Sequence, residues 1–393
     1  MQVTNKVLYL VIILLFSVQS LSYAQSADIP QVEDENIDLF DELNLSDFEA
    51  YWDEIRYEYQ DYLPEVERMT VKDLINSNHS LSIKDWIVAF INMIGYEVIA
   101  NGKLLGQLIV ITIISALIKN IQTAFHSESI STVANFVLML LLTTLALQSF
   151  SIVSQLITVT ISQMHGFIIA LLPLLLGLMA TLGGIISISF FHPVIVTFLH
   201  LIVVLTDKVI LKLIFFSFLL HLVSLLNKTF QLTKLADLFR QIALGMLMVS
   251  LTVFLTVLSV QGATTAIQDG LAIKTTKFVT NNFIPVVGRM FSEATDTIFA
   301  VTQVLKNGLG IFGLVTILLI VGIPIIKVAM IGFSYKMAAA ILQPIGESQI
   351  VKCVSIIAEH IFYLLAVLLV VSFMFLMTIV MLLIASNLTL MIR

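Results

Sequence analysis

Residues 354–384 read VSIIAEHIFYLLAVLLVVSFMFLMTIVMLLI, with Glu359 the one side chain charged at neutral pH. A helix needs about 20 consecutive apolar residues to cross the hydrocarbon core of a bilayer, and this run is longer than that. Outward from it lie further apolar runs at 308–326, 242–262, 209–226, 194–206, 166–190, 133–153 and 104–118. The first and fourth in chain order are short. The run at 104–118 lies between Lys103 and Lys119, whose stems can snorkel to the interfaces, whereas 194–206 can instead be the second arm of a re-entrant hairpin after His192 and Pro193. The reading is an all-α, polytopic integral membrane protein with about seven or eight membrane helices over residues 86–393.

Composition agrees. Apolar residues make up 59% of the chain and charged residues 12%, about half the charged share of an ordinary soluble domain. The net charge of −6 hides a division. Residues 25–85 hold 17 Asp or Glu against 4 Lys or Arg, a net of −13, while 86–393 hold 9 acidic and 15 basic residues, a net of +6. No basic patch with interleaved aromatics supports nucleic-acid binding. Cys353 is the single cysteine, so no intrachain disulfide can form.

Residues 1–24 have the form of a secretory signal peptide: Lys6, then an apolar stretch at 7–18, then Ser22, Tyr23 and Ala24 as a small-x-small cleavage site. An uncleaved signal anchor is the alternative, and both put residues 25–85 outside the cytoplasm. That acidic segment starts as a spacer too poor in apolar groups to order itself. From Ser46 and Glu49, a capping box, it becomes an amphipathic helix whose stripe is Phe48, Tyr51, Trp52, Ile55, Tyr59 and Tyr62. The stripe is either a docking face, for a partner or for the chain's own membrane portion, or a surface resting on the bilayer, where Trp and Tyr are enriched.

With that segment outside, the expected cytoplasmic loops carry Lys119; Lys228, Lys234 and Arg240; and Lys327, Lys336 and Lys352, while the short outer loops carry only Lys208. This is the positive-inside pattern. A long outer connection at 263–307 has amphipathic, interfacial stretches that include Phe278. Residues 229–241 are its cytoplasmic counterpart, and both are candidate partner contacts.

Chemistry is sparse. Lys212 and His221 are candidate intramembrane polar residues, and an ionisable group inside a span is a functional candidate by default. The histidines lack metal-ligand spacing, so no metal is expected. Gly102–Lys103 lacks the first glycine of a phosphate loop, because Glu97 stands there, and Gly332–Phe333–Ser334–Tyr335 lacks the second glycine of a nucleophile elbow. The chain is expected to be no enzyme and to need no cofactor. Pro173, Gly177, Gly183 and Gly184, and Gly322, Pro324, Gly332 and Pro344, interrupt two regions. Such interruptions either break helices to bind solutes, as in a secondary transporter, or simply permit close helix packing.

Six strings read together add a resemblance: NGKLLG at 101–106, FFHPVI at 190–195, TKLADLFRQIALG at 233–245, SVQGATTAIQDG at 259–270, TTKFVTNNFIPVVGRMF at 275–291 and AAAILQPIG at 338–346. In this order, behind a leader and an acidic aromatic helix, the chain resembles the stage III sporulation protein AE family of endospore-forming bacteria. The resemblance implies a component made in the mother cell and placed in the membrane around the forespore. It further implies a multiprotein transenvelope channel needed for late forespore gene expression, with other stage III A proteins, a secretion-type ATPase among them, as partners and stage II sporulation protein Q as an indirect one. Phe48, Tyr51, Trp52, Ile55, Tyr59 and Phe278 would then meet partners between the membranes, and Lys234 and Arg240 would meet cytoplasmic ones. The family supplies no catalytic residues.

Overall fold

The computed structural model describes residues 83–392, apart from 126–127, 183–184, 227–230, 284–286 and 345–347, together with most of 52–59. Phe48, Tyr51 and the leader lie outside the described residues, and so does the side chain of Phe278. The elements are α1 (Ile83–Phe125), α2 (Glu128–Thr181), α3 (Ile185–Leu205), a π-helical turn (Thr206–Ile210), α4 (Leu211–Leu226), α5 (Thr233–Phe283), α6 (Val287–Leu342) and α7 (Ser348–Ile392). No strand occurs among the described residues. In lipid every backbone polar group must be satisfied within its own segment, which selects the helix. The hydroxyls in these helices follow the same rule: Thr160 Oγ1 donates to the Leu156 carbonyl at 2.8 Å, and Ser372 Oγ to that of Leu368 at 2.7 Å.

Among the described residues, six stretches are long and apolar enough to cross a membrane: Ile91–Ile111, Phe136–Thr181, His192–Leu226, Thr233–Val260, Thr302–Ile341 and Gln349–Ile384. The chain is therefore an all-α, multi-pass membrane protein. The eight apolar runs of the sequence fall on these six stretches because two expected breaks do not occur. Runs 133–153 and 166–190 were separated at 154–165, but α2 passes straight through that interval. It contains neither glycine nor proline, and Gln155, Thr158 and Ser162 recur at helical spacing, so nothing there stops a helix. Runs 194–206 and 209–226 are joined by the π-helical turn, so Lys208 lies within a helix rather than in a loop, and Pro193 lies inside α3 rather than at the tip of a hairpin.

Within 263–307, α5 continues to Phe283 and α6 begins at Val287, so the amphipathic stretches expected there lie on helices. Of the two glycine- and proline-rich regions, Gly183 and Gly184 lie outside the described residues and Pro344 lies beyond the end of α6. Pro173 lies inside α2 and Pro324 inside α6, where neighbouring helices make proline tolerable.

α7 is the hub. Cys353, Val354, Ile357, Ile361, Leu364, Val367, Leu368, Val370 and Met374 are fully enclosed, which is how a helix apolar on all sides behaves in a bundle. Two tiers of contacts tie the other helices around it. In the first, the Ser149 and Tyr335 hydroxyls lie 2.7 Å apart, Phe150 stacks on Phe218 at 4.9 Å, and Ser217 meets His360. In the second, Phe167 meets Phe312, Phe198 meets Phe254, and Gly313 lies against Leu171 and Ile379. Along the helices, at about 1.5 Å per residue, the tiers stand roughly 30 Å apart, the thickness of a hydrocarbon core.

Candidate functional site

The first tier contains a buried polar cluster drawn from three helices. α4 contributes Ser217 and His221, α5 contributes Asp237 and Arg240, and α7 contributes His360 and Tyr363. Each is brought in by helical spacing: Ser217 and His221 are one turn apart, as are Asp237 and Arg240, and His360 and Tyr363. Arg240 Nη2 pairs with Asp237 Oδ1 at 2.9 Å, while Nη1 donates to the Tyr363 hydroxyl at 2.9 Å. The guanidinium carbon also lies 5.3 Å from the Tyr363 ring centre, a cation–π contact.

The histidines complete the ring of contacts. His360 Nδ1 lies 2.8 Å from the Ile356 carbonyl, which can only accept, so Nδ1 carries the proton. In the neutral ring Nε2 therefore accepts from the Ser217 hydroxyl, 3.2 Å away. By the same reasoning His221 Nδ1 donates to the Ser217 carbonyl at 3.0 Å. Its Nε2, 3.7 Å from Asp237 Oδ1, makes an ion pair only when the imidazole gains a second proton. The two imidazoles meet edge to face at 5.2 Å, and His360 meets Tyr363 at 5.6 Å.

His360 and Ser217 are 1% and 0% exposed, so this half of the cluster is enclosed between helices, while the Asp237 and Arg240 side chains, 41% and 25% exposed, stand at its edge. Desolvated polar groups are tolerated only when they satisfy one another. This set does so while fastening α4, α5 and α7 at one end of the bundle. Among the described residues no group of three or more His, Cys, Asp or Glu side chains is placed to hold a metal ion. Replacing Arg240 by lysine keeps the charge but loses the planar fork that reaches Asp237 and Tyr363 together. In a double-mutant cycle of Arg240→Lys and Tyr363→Phe, thermal unfolding in mild detergent is expected to give a coupling of about 1 kcal/mol. Strict additivity would refute the contact.

Of the residues singled out in sequence, His221 and Arg240 thus belong to one cluster although they were assigned different roles. Lys212 is exposed on α4, and Lys234 is exposed near the start of α5. Trp52, Ile55 and Tyr59 are 2%, 4% and 3% exposed. Trp52 faces Phe312 at 6.2 Å, and Tyr59 donates to the Leu319 carbonyl at 2.7 Å. These three residues of the stripe therefore pack against the chain's own membrane portion, while Phe48, Tyr51 and Tyr62 lie outside the described residues. Ser217, Asp237 and Tyr363 were not singled out in sequence, and His360 only as a residue opening the last span. The available signal was the i, i+3 pair of Asp237 and Arg240 at the foot of an apolar helix.

The model for the family described as stage III sporulation protein AE matches residues 66–386. The chain belongs to this family. A stage III sporulation protein AE from Bacillus subtilis (strain 168) is 42% identical to it over 343 residues, covering 87% of this chain and 86% of the relative. No solved structure matches. All three helices that build the cluster contribute it from within the matched region, so the cluster belongs to the part of the molecule shared with the stage III sporulation protein AE family.

Proposed function

We propose that this sporulation protein is a non-enzymatic, membrane-embedded structural or conduit subunit of a transenvelope channel from mother cell to forespore, needed for late forespore gene expression. The observation that carries the reading is family membership across nearly the whole membrane region, residues 66–386. The protein would occupy the mother-cell membrane around the forespore, with residues 25–85 outside the cytoplasm. Joining two pairs of expected spans removes two crossings, so every connection after α4 keeps the side assigned from its charges. The exposed Lys234, Lys336 and Lys352 then lie at the cytoplasmic end, where the positive-inside rule puts them. There they would meet other stage III A proteins, including the secretion-type ATPase, while stage II sporulation protein Q would be reached indirectly across the intermembrane space.

A strain lacking the gene is expected to complete engulfment and then lose expression of a late forespore reporter. Normal spore yield from that strain would overturn the proposal. For topology, a periplasmic-type reporter fused near Tyr51 is expected to be active only outside the cytoplasm.

A further inference from the structure

The outer face shared by α2 and the α3–α4 helix sets a line of polar groups among the exposed apolar side chains Ile152, Val159, Leu201 and Val204. Along α2 the residues Gln148, Ser151, Gln155, Thr158 and Ser162 follow one another at intervals of three and four, which sets them on one side of the helix. All are exposed except Thr158, which is half-buried. Beside this stripe, the π-helical turn carries Asp207 and Lys208, with side chains 29% and 72% exposed and paired at 2.7 Å. Lys212, exposed as well, follows one turn later. Thr158 Oγ1 donates to Asp207 Oδ1 at 3.2 Å across the groove. A cleft of about 230 Å³ opens there, lined by Thr158, Ser162, Asp207 and Lys208 and by four apolar side chains.

The depth of these groups decides the matter. Thr158 is midway along α2 between the tier contacts Ser149 and Phe167, and Asp207 is midway between Phe198 and Ser217. Each therefore sits about 15 Å from either end of an apolar slab of bilayer thickness. A lysine stem cannot snorkel that far. Lys208 held in lipid at such depth costs at least about 2.5–3.5 kcal/mol, while Lys212, five residues from Ser217, lies about 7.5 Å from the first tier. α5 differs in charge: between Arg240 and Phe254 it carries no charged residue, and it exposes Val249 and Val253, at 62% and 45%, alongside Thr252. A π-helical turn at such a point is also where helices commonly carry function.

We infer that the α2/α3–α4 face is hydrated at mid-membrane depth and lines an aqueous path across the membrane region. The inference deepens the conduit reading and rests on it for the identity of the path, though not for the presence of water.

The test uses the full chain in membranes of sporulating cells. Cys353 is fully buried, so background labelling is low. Single cysteines are introduced as Gln155→Cys, Ser162→Cys and Lys208→Cys on the stripe, and as Val249→Cys and Val253→Cys on α5, with protein amounts matched by immunoblot. A membrane-impermeant methanethiosulfonate needs a hydrated thiolate, so the stripe positions are expected to react on the order of tenfold faster than the α5 positions. Equal, slow rates at all five positions overturn the inference. So does a stripe that reacts when the chain is expressed alone but is silent in sporulating membranes, because a protein partner would then cover it. If the stripe reacts in a strain background where deleting the gene leaves sporulation normal, the hydrated face stands and the channel assignment falls.

Discussion

Substituting leucine for Gly310 is expected to remove most of the protein from the membrane fraction. Gly310 lies where α6 crosses α7, and a Cβ built there falls inside the Leu383 side chain. Three residues on, a Cβ at Gly313 would come within 3.2 Å of Ile379 on the same helix. Small residues at this spacing let two membrane helices approach closely. Overpacking an ordinary core site costs about 1–3 kcal/mol, and here a second loss is added. The buried Lys306 donates to the Leu383 carbonyl at 3.3 Å, so pushing Leu383 aside also disturbs a hydrogen bond of a buried amine. Gly245→Leu is the control, since nothing lies within 4 Å of a Cβ at that position. Immunoblots of membrane fractions and melting in detergent should show Gly310→Leu depleted and Gly245→Leu near wild type. Equal abundance of the two would show that the α6–α7 seam is not as tight as described.

The second large effect is expected at Gly322. The Tyr59 hydroxyl reaches the Leu319 carbonyl only because residue 322 has no side chain; a Cβ there would stand 2.6 Å from it. The neighbouring Ile320 carbonyl is the one that Pro324, lacking an N–H, cannot serve, so the ladder of α6 is already open beside the contact. Gly322→Leu should therefore lift the 52–59 stretch from α6. Trp52 reports the event: with Trp86→Phe as background it is the sole tryptophan. Its emission is expected to move to the red and its quenching by acrylamide to rise. Unchanged quenching would mean that the aromatic stripe is held by something other than this notch.

These effects also mark what the sequence can and cannot disclose. The apolar runs identify the helices because length and lack of charge are local properties. The buried fate of Trp52, Ile55 and Tyr59 was legible as a stripe, but not its target, which is more than 250 residues away in the chain. The breaks assigned at 154–165 and at Lys208 fail for a physical reason: polar residues at helical spacing mark a wet face as readily as a loop, and spacing alone does not separate the two. The His221, Arg240 and His360 cluster was illegible for another reason. Its members come from three helices, and only the packing of α4 and α5 on α7 makes them neighbours.

The turn at Thr206–Ile210 carries one residue more than an α-helical turn would hold. Deleting that one residue would let the turn close to an ordinary α-helical one, so α3 and α4 would each keep the face they present to the core. Ser217 and Phe218 would stay inside. Between homologous chains, a one-residue gap at this point is therefore absorbed locally, whereas the same gap elsewhere in the helix would turn everything beyond it by about 100°.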